Sequence, residues 1–338
     1  MKVAAQQCVE PTAPSALVVS RLFGFVSTLV QSGGCANPAL RLTQIVGLFN
    51  GSVVESESHS HMNISYPVMP SDLLERYLNL LGVHRRKPSL DALCELVQAH
   101  LMRVPFENIS KLYYKKHQGL RGLPSLELFL DGIERFHFGG TCYTNNYYLY
   151  QLLANLGYQA KLCGADMSNP DVHLVSIVTL EKREYLVDAG YAAPFLTPLP
   201  RDLATDYAIV LGRDRYVLKP QDAQGCSRME LFRDGTLKHG YLVKPGPRQI
   251  HEFEHIIGDS YRKDATFMNA LLLVRFFPNR SLVIHNLSVI ESQETVSNIR
   301  TLASQDELGQ VIYEYFGIPK EFTKDALREV GQLGDAWT

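Results

Sequence analysis

The chain has 338 residues, of which 46% are hydrophobic and 20% charged. Its 33 basic and 35 acidic side chains leave a formal net charge of -2 at pH 7. The length suits two or three domains, and the balanced charge excludes the basic field expected of a protein drawn to nucleic acid or an anionic membrane. A small-molecule substrate or a neutral protein partner is the expectation.

The six cysteines (Cys8, Cys35, Cys94, Cys142, Cys163 and Cys226) are scattered and form no C-x-x-C pair. In a chain this long they make no disulfide framework, so reduced thiols and cytoplasmic residence are expected. Cys94, Cys163 and Cys226 read as small buried hydrophobes. The best apolar run, Ala16 to Val30, is interrupted by Ser20, Arg21 and Ser27 and is too short to span a bilayer. Lys2 before it imitates a signal peptide, but Arg21, Glu10 and Pro11 argue against one.

Residues 1–66 lack helical or alternating periodicity and end in the Ser/His/Glu-rich stretch Glu55 to His61. They are expected to be a poorly ordered extension. Helical signals occupy 67–157. Asp72 with Glu75 reads as a capping box, Leu74, Tyr77, Leu78 and Leu81 keep helical spacing, and Gly82 stops the helix. Pro88-Ser89 opens a second helix that Pro105 ends near Val104. A third begins near Ser125. Gly139-Gly140-Thr141 then breaks the chain before Cys142, and Tyr148, Leu149, Leu152, Leu153 and Leu156 continue as a helix to Gly157.

Short β-rich runs follow over 158–250: Tyr158 to Ala165, Val172 to Leu180, Glu184 to Ala189, Ala208 to Leu211, Arg215 to Leu218, Glu230 to Phe232 and Thr236 to Leu242. Strands in series suggest a barrel or sandwich. Over 251–338 strand-like runs (Leu271 to Phe277, Ser281 to Leu287, Ser288 to Glu291) precede a helix capped by Ser304 with Glu307 and a last helix from Thr323.

Three of these positions suggest chemistry. A cysteine attacks as thiolate, and a helix N-terminus supplies the partial positive charge that favours one. Cys142 sits at such a start, behind two glycines that permit a tight entry. His173 opens one apolar strand, and Asp188 lies within the next, across a turn near Glu181-Lys182-Arg183. In a regular hairpin with an even loop the numbers of opposed residues add to an odd total, as 173 and 188 do, which puts both side chains on one face. A carboxylate among Leu186, Val187 and Ala189 needs a partner, and an imidazole fits. Singly, each residue reads more readily as structural. Jointly they form an orientation chain for nucleophilic catalysis. The segment His251-Glu252-Phe253-Glu254-His255 matches the helical zinc-protease pattern, but Gly246-Pro247 before it and Gly258 after it argue against the helix that pattern needs. No metal is expected.

Several segments together resemble the arylamine N-acetyltransferases. Val104-Pro105-Phe106-Glu107-Asn108 is similar to that family's V-P-F-E-N segment, and Phe138-Gly139-Gly140-Thr141-Cys142-Tyr143-Thr144-Asn145-Asn146 to its R-G-G-x-C-x-E-x-N nucleophile segment. His173-Leu174-Val175 and Tyr185-Leu186-Val187-Asp188-Ala189-Gly190-Tyr191 resemble its histidine and aspartate strands. The resemblance runs from about Leu73 to the terminal helix and weakens after Pro200.

It implies an α+β fold, with an N-terminal helical bundle, a central β-barrel, a C-terminal α/β lid and a cysteine-proteinase-like catalytic core. It implies ping-pong transfer of an acetyl or other short acyl group from acetyl-CoA, as co-substrate, to an arylamine or arylhydrazine. Cys142 is then the acylated nucleophile, His173 the base and Asp188 its orienter, with Phe106, Tyr191 and Gly190 at the substrate. Neither nucleic acid nor membrane is an expected partner. Two departures stand out: Phe138 replaces the family's arginine and Thr144 its glutamate. Glu107 is kept, and Arg103 or Lys111 is its expected partner. The loop from Gly164 to Pro170 is shorter than usual. These changes leave room for other donors or acceptors. An amide synthase acting on a carrier-bound acyl chain, a transglutaminase- or peptidase-like cysteine enzyme, and a non-catalytic binding protein are the rival readings.

Overall fold

A computed structural model describes residues 68–331 together with 333 and 334. The expectations for residues 1–66, including Cys8, Cys35 and the run from Ala16 to Val30, lie outside the described residues. Helix α1 (Ser71–Leu81) starts one residue before the expected Asp72 cap, because Pro70 takes the capping position with its fixed φ and no side chain caps the helix. Asp72 instead lies in the first turn, where a carboxylate complements the helix dipole. Gly82 ends the helix in the left-handed region, as expected. In α2 (Leu90–Arg103) the Ser89 hydroxyl accepts from the Ala92 N–H. The helix stops where Val104 turns extended before Pro105.

Strand β1 (Phe106–Glu107) and helix α3 (Ile109–Gln118) carry no sequence-level expectation. A two-residue strand is too short for periodicity, and the polar face of α3 dilutes its pattern. Helix α4 (Leu126–Phe136) is capped by Ser125. In α5 (Cys142–Asn155) every residue from Cys142 to Ala154 is buried, polar ones included. A helix enclosed on all sides is a central one.

Strands β2 (Gln159–Asp166), β3 (His173–Leu180), β4 (Arg183–Val187), β5 (Leu199–Pro200), β6 (Tyr207–Leu211), β7 (Asp214–Leu218), β8 (Ser227–Arg233) and β9 (Thr236–Pro247) form one antiparallel sheet in the order β5-β4-β3-β2-β9-β8-β7-β6. It is a nearly closed barrel. Leu180 pairs with Arg183, and Glu181 and Lys182 between them both have positive φ. Two such residues make the hairpin turn whose twist matches its strands. Helix α5 packs on β2 and β3.

Strands β10 (Leu272–Phe277), β11 (Arg280–His285), β12 (Ser288–Gln293) and β13 (Val296–Thr301) form a second sheet, and β1 joins it by pairing with β10. Strand β13 also goes unanticipated. Its residues Val296 and Ile299 are exposed, so it lacks the half-buried alternation that marks a strand in sequence. A short α6 (Glu254–Asp259) precedes this sheet; α7 (Gln305–Phe316), capped by Ser304, and α8 (Lys320–Val330), which packs on α3, follow it. Cys94 lies on the buried face of α2. Among the described residues no helix is long and apolar enough to cross a membrane.

Candidate active site

Cys142 is the first residue of α5, behind Thr141, whose side chain makes no capping bond. The first N–H groups of the helix are thus left without a side-chain cap, at the end that carries partial positive charge. Glycines bring three segments against this start. A Cβ on Gly139 would lie 1.9 Å from the Pro105 carbonyl oxygen, and one on Gly140 would lie 2.7 Å from Cβ of Thr144. A Cβ on Gly190 would lie 2.6 Å from Cα of Cys142. Gly190, just beyond β4, therefore packs on the backbone of Cys142 itself. The Gly140 N–H donates to the Pro105 carbonyl and the Glu107 N–H to the Gly140 carbonyl, which ties the segment before Cys142 to β1.

His173 is the first residue of β3. Asp188 lies one residue past the end of β4 rather than inside it. The register Ser176↔Val187 makes the two diagonal neighbours, not opposed ones. Their side chains still meet: His173 Nε2 lies 2.8 Å from Asp188 Oδ2, and both side chains are 0% exposed. The Tyr241 hydroxyl of β9 donates to the same oxygen at 2.7 Å. Asn146 Nδ2 and the Gly190 N–H each donate to Oδ1 at 2.9 Å. Asn146 also donates to the Leu174 carbonyl at 2.5 Å, and its own Oδ1 accepts from the Ala189 N–H at 2.7 Å. One amide thus links α5, the start of β3 and the end of β4.

These contacts decide the charges. Burial opposes ionisation of Asp188, but His173, Asn146 and Tyr241 outweigh it and hold the carboxyl below its ordinary range. Burial likewise opposes the imidazolium of His173. The charge and hydrogen bond of Asp188, with a contribution from Cys142, outweigh that and raise its pKa. Nδ1, the ring nitrogen that Asp188 leaves free, makes no hydrogen bond, while the charge of Cys142 adds to the rise in the ring's pKa. Cys163 is buried within β2, and burial pushes its thiol up to about 12.

Of the residues expected at the substrate, Tyr191 stands with its ring centroid 5.9 Å from that of His173 and 4.8 Å from that of Tyr241, and its hydroxyl is 2.9 Å from His239 Nδ1. Gly190 packs on Cys142 as described. Phe106 is buried in β1, with its ring edge-on to Phe267 at 5.4 Å. Asn146 was readable as the residue one turn after Cys142, on the same helix face. Tyr241 gave no local signal, because only barrel closure brings β9 to Asp188.

A different set of residues occupies the α3 side of the segment. Glu107, fully buried, accepts from the Gly139 N–H at 3.0 Å and the Ser110 N–H at 2.9 Å. Burial raises its pKa. Neither expected partner pairs with it among the described residues: Lys111 donates instead to the Ser260 carbonyl at 2.7 Å and Oγ at 2.8 Å, and Arg103 is exposed. Backbone N–H groups suffice for a carboxyl that burial shifts toward its neutral form. Phe138 is buried among Tyr113, Tyr114, Phe136 and Phe322, so an aromatic cluster reaching α8 stands where the family's segment carries an arginine. The His251–His255 segment spans a 3₁₀ turn and the start of α6, not one helix, and His255 is 87% exposed beside Asp259.

A family model described as N-acetyltransferase matches residues 89–325. Arylamine N-acetyltransferase 1 of Homo sapiens is 30% identical over 210 residues, covering 54% of this chain and 69% of that relative. Arylamine N-acetyltransferase 2 of Rattus norvegicus is 26% identical over 212 residues, covering 54% and 70%. The solved arylamine N-acetyltransferase of Mycobacterium abscessus superposes with a TM-score of 0.64 at 17% identity, over 77% of this chain and 95% of that one. That of Nocardia farcinica superposes with a TM-score of 0.61 at 25% identity, over 75% and 92%. With the family model covering most of its length, the chain belongs to the arylamine N-acetyltransferase family of enzymes.

Proposed function

We propose that the chain transfers an acetyl or other short acyl group from CoA to the nitrogen of an arylamine or arylhydrazine, through an acyl-cysteine on Cys142. The hydrogen bond between His173 and Asp188, in a pocket that favours the imidazolium, is the observation that carries this reading. A Cys142 thiolate beside that imidazolium attacks the thioester carbonyl. The oxyanion forms next to the uncapped N–H groups of α5. Its collapse breaks the C–S bond to CoA, and the departing CoA thiolate takes the His173 proton. The neutral imidazole then accepts a proton from the amine as that nitrogen attacks the acyl-cysteine. Cys142 leaves as thiolate, His173 again holds the proton, and the amide is released. Asp188 remains ionised throughout, orienting the ring. Cytoplasmic residence suits a reduced nucleophile.

Intact-mass measurement after incubation with acetyl-CoA tests this. One acetyl adduct is expected on the wild type, discharged when an arylamine or arylhydrazine is added, and none on Cys142→Ala. An adduct that survives Cys142→Ala, or a wild type that takes no acyl group from any short-chain CoA thioester, overturns the proposal.

A further inference from the structure

Asp171 stands two residues before His173, and the steps above do not use its carboxylate. Residues 167–172 connect β2 to β3, and Asp171 holds a φ of 56° there. That left-handed backbone is uncommon for a residue with a side chain and persists where contacts fix it. Here backbone and side chain are both held. The Asp171 N–H donates to Asp166 Oδ1 at 2.8 Å. Its carbonyl accepts from the hydroxyl of Tyr143, the residue after Cys142, at 3.4 Å. Its carboxylate lies 2.6 Å from Lys244 Nζ and 3.0 Å from Arg248 Nη1, and the side chain is 15% exposed. Lys244 also reaches Asp166, at 2.8 Å. Burial opposes ionisation of Asp171, but the two cations outweigh it and hold the carboxyl below its ordinary range.

This clamp sits where two strands lose register. Cys163 of β2 pairs with Pro247 of β9, and Ala165 pairs with Val243, which leaves a bulge opposite Gly164. Lys244 and Arg248 each follow one of those two β9 residues, so the cations flank the bulge. A Cβ on Gly164 would lie 2.2 Å from Asp171 Oδ1, so the carboxylate rests on the bulge itself. The next residue of β2, Ala165, pairs with His173. Bulges beside active sites re-aim side chains. We propose that Asp171 is a positioning residue for His173: its carboxylate, gripped by Lys244 and Arg248 across the bulge, fixes the chain entering β3 and so the direction from which the imidazole meets Asp188. The inference rests on His173 serving as the base of the acyl transfer. An exposed ion pair would contribute little. This carboxylate is mostly covered, meets two cations and is separated from His173 by Val172 alone.

Two measurements on the full-length protein test this. The first is the rate of acetyl-Cys142 formation at saturating acetyl-CoA, read by quenched-flow intact mass. Asp171→Asn keeps the N–H and tolerates the left-handed backbone; it should slow this step about tenfold, with the half-saturating acetyl-CoA unchanged. Asp171→Ala should slow it further. Asp234→Asn is the control: it neutralises another left-handed aspartate, the partner of Arg213 in the β8–β9 turn, and should leave the rate unchanged. The second readout is the downfield proton resonance of the His173–Asp188 hydrogen bond, which needs no acylation. It should be shifted or broadened in both Asp171 variants and unaltered in Asp234→Asn. A rate and a resonance unchanged in both Asp171 variants overturn the role of Asp171 and leave the acyl-cysteine standing. A loss matched in Asp234→Asn, or accounted for by unfolded protein in circular dichroism, overturns it in favour of a general stabilising contact. A wild type that takes no acetyl group overturns the mechanism, and the resonance then still decides whether Asp171 positions the ring.

Discussion

Asp188 and Glu107 are carboxyl groups on two sides of Cys142, and both are buried. Asp188 meets an imidazole, a phenol, an amide and a backbone N–H, and is held ionised. Glu107 meets two backbone N–H groups and no cation among the described residues, and its pKa rises. Burial acts alike on both, so the number and charge of the donors decide the protonation state. The signs of their pH dependence are opposite. The contribution of Asp188 to stability is present above its unfolded pKa and lost as pH falls through its lowered folded value. That of Glu107 is largest in acid and lost as pH rises from its unfolded value through its raised one. The β-sheet side of Cys142 is thus built to hold charge by hydrogen bonding, whereas the α3 side tolerates polar groups with few partners.

The largest expected effect on this contrast is that of Asp188→Asn. It should lower kcat/KM by on the order of 10³- to 10⁴-fold, because the imidazole loses its orienting charge. It should also flatten the pH dependence of stability. In the wild type the raised pKa of His173 contributes stability that is full below about pH 6.5 and lost as pH rises through the folded value. Denaturant titrations over that range read the difference. A slope unchanged in Asp188→Asn would contradict the pairing.

A smaller loss, roughly tenfold in kcat/KM, is expected for Tyr241→Phe, which removes one charged hydrogen bond worth about 1.5–3 kcal/mol and leaves three. Its size sharpens the claim that Asp188 is held by several donors at once. Smallest is Lys111→Met, measured as stability alone. A cation whose pKa is depressed on folding weighs against the folded state below that value. The variant should therefore gain about 1 kcal/mol at neutral pH, with the gain shrinking as pH rises from 8 toward the ordinary lysine range. A loss of stability instead would place Lys111 among the groups that hold the fold.

How far the sequence could be read depended on the range of the forces involved. Capping serines at Ser89, Ser125 and Ser304, the stop at Gly82 and the extended Val104 before Pro105 act within a few residues of the chain. So does the turn at Glu181-Lys182, and with it the pairing of His173 and Asp188 across one hairpin. The segments Gly139 to Cys142 and Tyr185 to Tyr191 carried the family resemblance. By contrast, β1 consists of two residues that become a strand only because β10 is there to pair with. The start of α1 went to Pro70 over the more obvious Asp72, since capping is decided by backbone geometry as well as by side-chain type.

By itself, then, the order of residues determined which side chains were candidates for chemistry, because helix starts, tight turns and strand alternation are set by neighbours along the chain. Tertiary structure alone decided what surrounds them: Tyr241 on Asp188, Ser260 beneath Lys111, two backbone N–H groups in place of a cation on Glu107, and the rings of α3, α4 and α8 around Phe138. The physical reason is that charge state depends on burial and on donors brought from distant segments, and neither exists until the sheets and helices have closed around the site.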